Sequence, residues 1–73
     1  MDFAVDVYQD GYLNITIHNV TGAVIMEVLK DYYIEAGTLQ PITLNVETFP
    51  SGSYMIQVSM SDDNNIQQFI IVK

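Results

Sequence analysis

Residues 13–22, which read LNITIHNVTG, decide the fold class of this chain. Leu13, Ile15 and Ile17 alternate with polar residues, and this period of two places the apolar side chains on one face of an extended strand. The last four residues have turn chemistry, because Gly22 can take the positive φ that a tight turn between two strands needs. The stretch therefore predicts a half-buried β-strand that turns back into a second strand.

The same alternation continues in both directions along the chain. Apolar residues recur at every second position in three more segments: Phe3, Val5 and Val7; Ile42, Leu44 and Val46; Tyr54, Ile56, Val58 and Met60. A fourth segment, Ile66, Gln68, Ile70 and Val72, has the same period with one polar residue. Turn residues separate these segments, and Pro41 indicates a position at a sheet margin. The sequence predicts an all-β fold, a small antiparallel β-sandwich of Ig-like style with about six to seven strands.

Three segments leave more than one interpretation open or predict irregular structure. Residues 23–30 are apolar on both faces, which fits either a central strand covered on both sides or an edge strand buried by a partner chain. Residues 31–38 are expected to form a polar connection that contains Tyr32 and Tyr33. Residues 61–65, which read SDDNN, are expected to form a solvated hairpin tip, with a calcium loop as the weaker alternative.

Length and charge limit the classes of protein and of partner. The 73 residues allow one small domain, which we expect to span residues 1–73. Nine acidic side chains against two basic ones give a formal net charge of -7, which makes polyanions such as nucleic acid unfavourable partners. Because the chain has no cysteine and one histidine, neither disulfides nor a structural zinc site can form within it.

The apolar runs are short. None is longer than Phe69–Val72, which is far below the ~20 residues that a membrane helix needs, so no membrane insertion is expected. The first residues lack both the basic segment and the apolar run of a secretory signal, so we expect no signal peptide in this chain.

The sequence offers little catalytic chemistry. His18 is predicted to be an ordinary surface or turn residue, because no serine of the chain lies in a nucleophile motif such as G-x-S-x-G. The carboxylates are scattered over turns and outer strand faces, so a held pair of the kind that acid–base catalysis needs is not expected. We predict a non-catalytic chain that needs no cofactor and no metal.

Four segments resemble a known family in order and in pattern. Residues 15–25, ITIHNVTGAVI, are similar to the strand–turn–strand pattern V-x-I-x-N-x-x-G-x-x-V of that family, and residues 42–46 are similar to the family's next strand. Residues 49–58, FPSGSYMIQV, are similar to its L-P-x-G-x-Y motif. Residues 67–73, QQFIIVK, are similar to its closing strand. From Ile15 to Lys73 the chain thus resembles the C-terminal sorting domain of the type IX (Por) secretion system, together with related small Ig-like domains.

The resemblance implies a non-catalytic tail at the end of an exported protein. Such a tail would be recognised by the secretion machinery as its cargo passes from the periplasm to the cell surface, so the partner would be that machinery or the cargo domain. The positions that carry the family pattern are Gly22, Gly52, Tyr54, Phe69 and Lys73. The alternative function is a stand-alone Ig-like module that binds protein or glycan, or that associates with itself.

Two physical expectations accompany these assignments. Gly52 lets the chain turn sharply into a strand, and Tyr54 is expected to bury its ring while its hydroxyl bonds to a backbone group. In addition, six strands cannot close a sandwich without leaving edges, and unpaired edges invite strand addition. We therefore predict a homodimer or an exchanged strand, formed through edge strands.

Overall fold

The structure, a computed structural model, describes residues 1–60 and 63–73, and six β-strands span them. They are β1 (Asp2–Asp6), β2 (Gly11–Asn19), β3 (Val24–Ile34), β4 (Leu39–Thr43), β5 (Gly52–Met60) and β6 (Asp63–Ile71). The described residues contain no helix, and so none that could cross a membrane.

The strands form two antiparallel sheets. The smaller sheet pairs β1 with β4, and the larger one has the order β3-β2-β5-β6. The predicted all-β sandwich is thus confirmed. Each sheet has two free edges within the described residues: β1 and β4 in the smaller sheet, β3 and β6 in the larger one.

The core lies between the sheets and is centred on β2, as the alternation in residues 13–22 predicts. Leu13, Ile15 and Ile17 are 1%, 0% and 0% exposed. They lie directly opposite three inward residues of β5, because the register pairs Leu13 with Met60, Ile15 with Val58 and Ile17 with Ile56. The smaller sheet and its flanking residues add Val7, Ile42 and Leu44 to the same cluster.

The third strand corrects two expectations. β3 runs through Ile34, so residues 31–34 belong to a strand and not to the predicted connection. The aromatic residues explain this, since Tyr33 pairs with Tyr12 across the two strands and aromatic cross-strand pairs stabilise sheets. β3 is also an edge strand with Val24 and Ile25 exposed, so the interpretation as a central strand covered on both sides is wrong. An edge buried by a partner chain stays a prediction.

The last hairpin corrects a third expectation. β6 begins at Asp63, and the residues Asp63, Asn64 and Asn65 pair with the end of β5, where a loop is predicted. Backbone pairing with β5 prevails here over the low strand preference of aspartate and asparagine. Ser61 and Asp62, the rest of that predicted loop, lie outside the described residues.

Candidate functional site

The corner that leads into β5 has the geometry expected for Gly52 and Tyr54. Gly52 has a φ of +155°, a conformation that residues with a side chain rarely adopt. Tyr54, two residues later, is buried, and its hydroxyl donates a hydrogen bond of 2.5 Å to the Pro50 carbonyl oxygen. This bond joins two residues four positions apart in the chain and fixes the entry of β5.

Two aromatic rings flank Tyr54. The centroid of its ring lies 5.5 Å from that of Phe49 and 5.7 Å from that of Phe69, which is the range for stacked and tilted aromatic pairs. Phe69 is the residue directly opposite Tyr54 in the β5–β6 ladder. The corner and the last strand are thus joined through one aromatic cluster.

The end of the chain is bound to the same corner. The backbone N–H of Lys73 donates a hydrogen bond to the Ser51 hydroxyl oxygen at 3.1 Å. The side-chain ammonium group of Lys73 donates to the backbone carbonyl oxygen of Glu47 at 2.5 Å. Four of the five predicted positions, Gly52, Tyr54, Phe69 and Lys73, are therefore brought together in one region of the fold. Their role in recognition stays a prediction.

Gly22 lies in the turn between β2 and β3, at the same end of the larger sheet. Its φ of +88° fits the predicted turn, and Asn19, where β2 ends, pairs with Tyr54 of β5. The side-chain oxygen of Asn19 accepts hydrogen bonds from the backbone N–H groups of Thr21 and Ala23 and from the Thr21 hydroxyl. The turn is thus fixed by side-chain bonds as well as by the glycine.

His18 supports that turn. Its Nδ1 lies 3.2 Å from the Gly22 carbonyl oxygen, which can only accept, so Nδ1 is the donor. In the neutral ring Nε2 then accepts from the Thr16 hydroxyl at 2.8 Å. Both nitrogens of the ring have structural partners, in agreement with the predicted turn residue.

The outward face of β6 carries an apolar row that sequence reasoning missed. Ile66 is 61% exposed and Ile70 is 66% exposed, and Val72, just after the strand, is 86% exposed. Ile66 and Ile70 lie four residues apart, with the polar Gln68 between them on the same face, and Val72 lies two residues further on. These positions follow the same period of two as buried Ile15 and Ile17, so periodicity alone gave no sign of exposure. The sequence did contain one signal of this exposure. Phe69 and Ile71, on the other face of the strand, are also apolar, and only one of the two faces can turn toward the core.

This arrangement is suited to protein recognition. An edge strand presents free backbone groups in one direction, and the apolar row adds a surface that loses water on contact with a partner. Among the described residues, no group of three histidine, cysteine or carboxylate side chains is placed to hold a metal ion. Three features are therefore relevant to function: the exposed apolar row on edge strand β6, the corner around Tyr54, and the hydrogen-bonded Lys73.

Comparison with known proteins identifies the family. A family model described as the secretion system C-terminal sorting domain matches residues 2–73, which is nearly the whole chain. The match extends beyond Ile15, where the resemblance in the sequence begins. No curated protein and no solved structure gives a significant match. Domains of this family belong to exported proteins and interact with a secretion machinery. The family is a family of sorting signals and not a catalytic one. The chain belongs to the type IX secretion system C-terminal sorting domains.

Proposed function

We propose that this chain is the C-terminal sorting tail of an exported protein and that the secretion machinery recognises the outward apolar row of β6. The observation that carries the proposal is the exposure of this row, Ile66, Ile70 and Val72, on and directly after an edge strand. Family membership supports the general role, and the exposed row supports the choice of surface. The tail itself performs no chemistry.

The rigid corner supports this choice of surface. Because Tyr54 is buried and bonded to Pro50, and because Lys73 is bonded to Ser51 and Glu47, both ends of the β5–β6 hairpin segment are held in place. A partner that docks on β6 therefore meets a surface that is already ordered, and it loses less conformational entropy on binding. Truncating the chain before Lys73 would remove two of these bonds.

The cargo is proposed to reach the cell surface. The tail would act after the cargo has entered the periplasm, where the machinery distinguishes proteins that carry it from those that do not. The chain's own charge of -7 has no evident part in this step.

A reporter fusion tests the proposed function. The chain is fused to the C-terminus of a reporter that carries a signal peptide, and the fusion is expressed in a bacterium with a working type IX system. We expect the reporter at the cell surface or in the medium, and we expect the same reporter without the chain in the periplasm. A fused reporter that is intact but stays in the periplasm would refute the sorting role.

Variants of the row test the choice of surface. Ile66→Ser combined with Ile70→Ser should leave the reporter in the periplasm, because the docking surface loses its apolar side chains while the fold keeps its core. Leu39→Ser is the matched control, since Leu39 of β4 is as exposed as Ile66, at 61%. Equal surface display by both variants would show that the machinery recognises another part of the chain.

A second candidate function is a stand-alone module that binds protein or glycan. The observation in its favour is the exposed pair Tyr12 and Tyr33, whose ring centroids lie 5.5 Å apart in an edge-to-face arrangement. Exposed tyrosines offer both apolar area and a hydrogen-bonding group to a ligand. A Tyr12→Ser, Tyr33→Ser tail that still sorts its reporter but no longer retains a protein or glycan ligand would separate the two functions.

A further inference from the structure

The free edge of β1 has a defined set of unpaired backbone groups. Met1 and Leu44 exchange both backbone hydrogen bonds, at 2.9 Å and 2.7 Å, and the Val7 N–H donates to the Thr38 carbonyl at 3.0 Å. In an antiparallel ladder such hydrogen-bonded pairs alternate with pairs that do not bond. The odd-numbered residues of β1 therefore bond to β4. The N–H and C=O groups of Asp2, Ala4 and Asp6 point the other way, to the side where no described strand lies.

Two of the other three edges carry features that hinder strand addition. On β4, Pro41 pairs with Ala4 at a position that does not bond to β1, so the missing N–H of proline falls on the outer edge of β4. On β3, the pairing with β2 has three register irregularities, and Asp31 has a φ of +50°. Such irregularities twist an edge away from a regular partner.

The free edge of β1 differs from the free edge of β6 because a groove lies beside β1. The groove has a volume of about 600 Å³ and runs between β1 and the inner face of β5 and β6. Phe3 and Val5 line one wall, and Ile56, Val58 and Phe69 line the other. The inward positions Asn65 and Gln67 of β6 are exposed, because the two-stranded sheet does not extend over them.

The two faces of a strand added at β1 would meet different surroundings. Its inward side chains would enter the groove against Val58 and Phe69, which favours apolar residues. Its outward side chains would lie beside those of Asp2 and Asp6, because cross-strand neighbours share a face. Among the described residues, no lysine or arginine lines the groove beside these two aspartates. Basic side chains are thus favoured at the outward positions.

We propose that the free edge of β1 accepts an extended segment of a partner protein in which apolar residues alternate with lysine or arginine. The segment would add a strand to the smaller sheet and fill the groove over β5 and β6. A second copy of this chain matches the site poorly, since each copy carries a net charge of -7 and has only two basic residues. This surface differs from the outward row of β6, so the proposal is independent of the sorting function.

Amide hydrogen exchange with a model peptide tests the proposal on the intact chain. The probe is a short peptide in which lysine and valine alternate, and the controls are a glutamate–valine peptide and a lysine–valine peptide with a central proline. In the free chain the amides of Ala4 and Asp6 should exchange faster than those of Phe3 and Val5. The lysine–valine peptide should slow exchange at Ala4 and Asp6, and the two control peptides should not.

Charge variants give the second readout. Asp2→Asn with Asp6→Asn should weaken binding of the lysine–valine peptide by about three- to tenfold, the range expected for loss of two exposed ion pairs. Glu27→Gln with Glu35→Gln removes the same charge near β3 and should leave the affinity unchanged. The proposal is overturned if protection of β1 rises with chain concentration alone, if the peptide protects β6 or β3 instead, or if the glutamate–valine peptide binds equally well.

Discussion

At the scale of single residues, the corner around Tyr54 is the best-defined feature of the molecule. One side chain combines a buried ring, two aromatic neighbours and a hydroxyl bond to the Pro50 carbonyl oxygen. The sequence alone predicts this role, because a glycine two residues before a tyrosine at a strand start suits a sharp entry and a buried ring. Which carbonyl accepts the bond depends on the loop path, which the sequence does not specify.

Substitutions at Tyr54 should separate the hydroxyl from the ring. Tyr54→Phe removes one hydrogen bond and should lower the free energy of unfolding by about 0.5–1.5 kcal/mol. Tyr54→Ala also removes the ring from the core and should cost about 3–5 kcal/mol. Urea denaturation measures both values, with Tyr8→Phe as the control because Tyr8 is exposed. Equal costs for Phe and Ala would contradict the assignment.

Gly52 should be intolerant of a side chain for a conformational reason. A β-carbon added there meets no atom within 4 Å, so steric contact is not the cause. The φ of +155° is the cause, and a non-glycine residue held in such a conformation costs about 1–3 kcal/mol. Thermal denaturation of Gly52→Ala should show this loss, and an unchanged Tm would mean that the corner relaxes to another conformation.

At the scale of elements, the face that a strand turns toward the smaller sheet decides which apolar residues are buried. Leu13, Ile15 and Ile17 lie on the inward face of β2 and are fully buried, whereas Ile66 and Ile70 lie on the outward face of β6 and are exposed. The period of two predicts the existence of both strands equally well. On β6 the period of two does not specify which face turns inward, because Phe69 and Ile71 are apolar on one face and Ile66 and Ile70 on the other. For this reason the exposed row could not be predicted.

Matched isoleucine substitutions test this difference between β2 and β6. Ile15→Ala creates a cavity in the core and should lower the free energy of unfolding by about 2–5 kcal/mol. Ile66→Ala removes an exposed side chain and should change it by less than about 0.5 kcal/mol. Chemical denaturation of both variants gives the comparison, and a large loss for Ile66→Ala would place that side chain in the core. The same result validates Ile66 variants as folded in the secretion experiments.

At the scale of the whole molecule, a two-stranded sheet covers a four-stranded one, and net negative charge is spread over a small body. The radius of gyration is 12.5 Å. At low salt the Debye length is about 30 Å and exceeds this dimension, whereas at 0.15 M it is about 8 Å. Repulsion within the folded chain is therefore nearly unscreened at low salt, which lowers stability.

Salt should consequently stabilise the protein. We expect Tm to rise as sodium chloride increases from about 0.01 M to about 0.15 M, because screening weakens the repulsion among the carboxylates. Differential scanning calorimetry at constant pH measures the effect. A Tm that falls over this range would show that favourable ion pairs outweigh the net charge of -7.

The central claim, that this chain directs export, is tested most directly by the location of one reporter in two strains. The reporter carries a signal peptide and this chain at its C-terminus, and the strains differ only in whether the type IX machinery is intact. We expect the reporter at the cell surface or in the medium of the intact strain and in the periplasm of the deficient one. The same location in both strains, with the fusion intact, would contradict this claim.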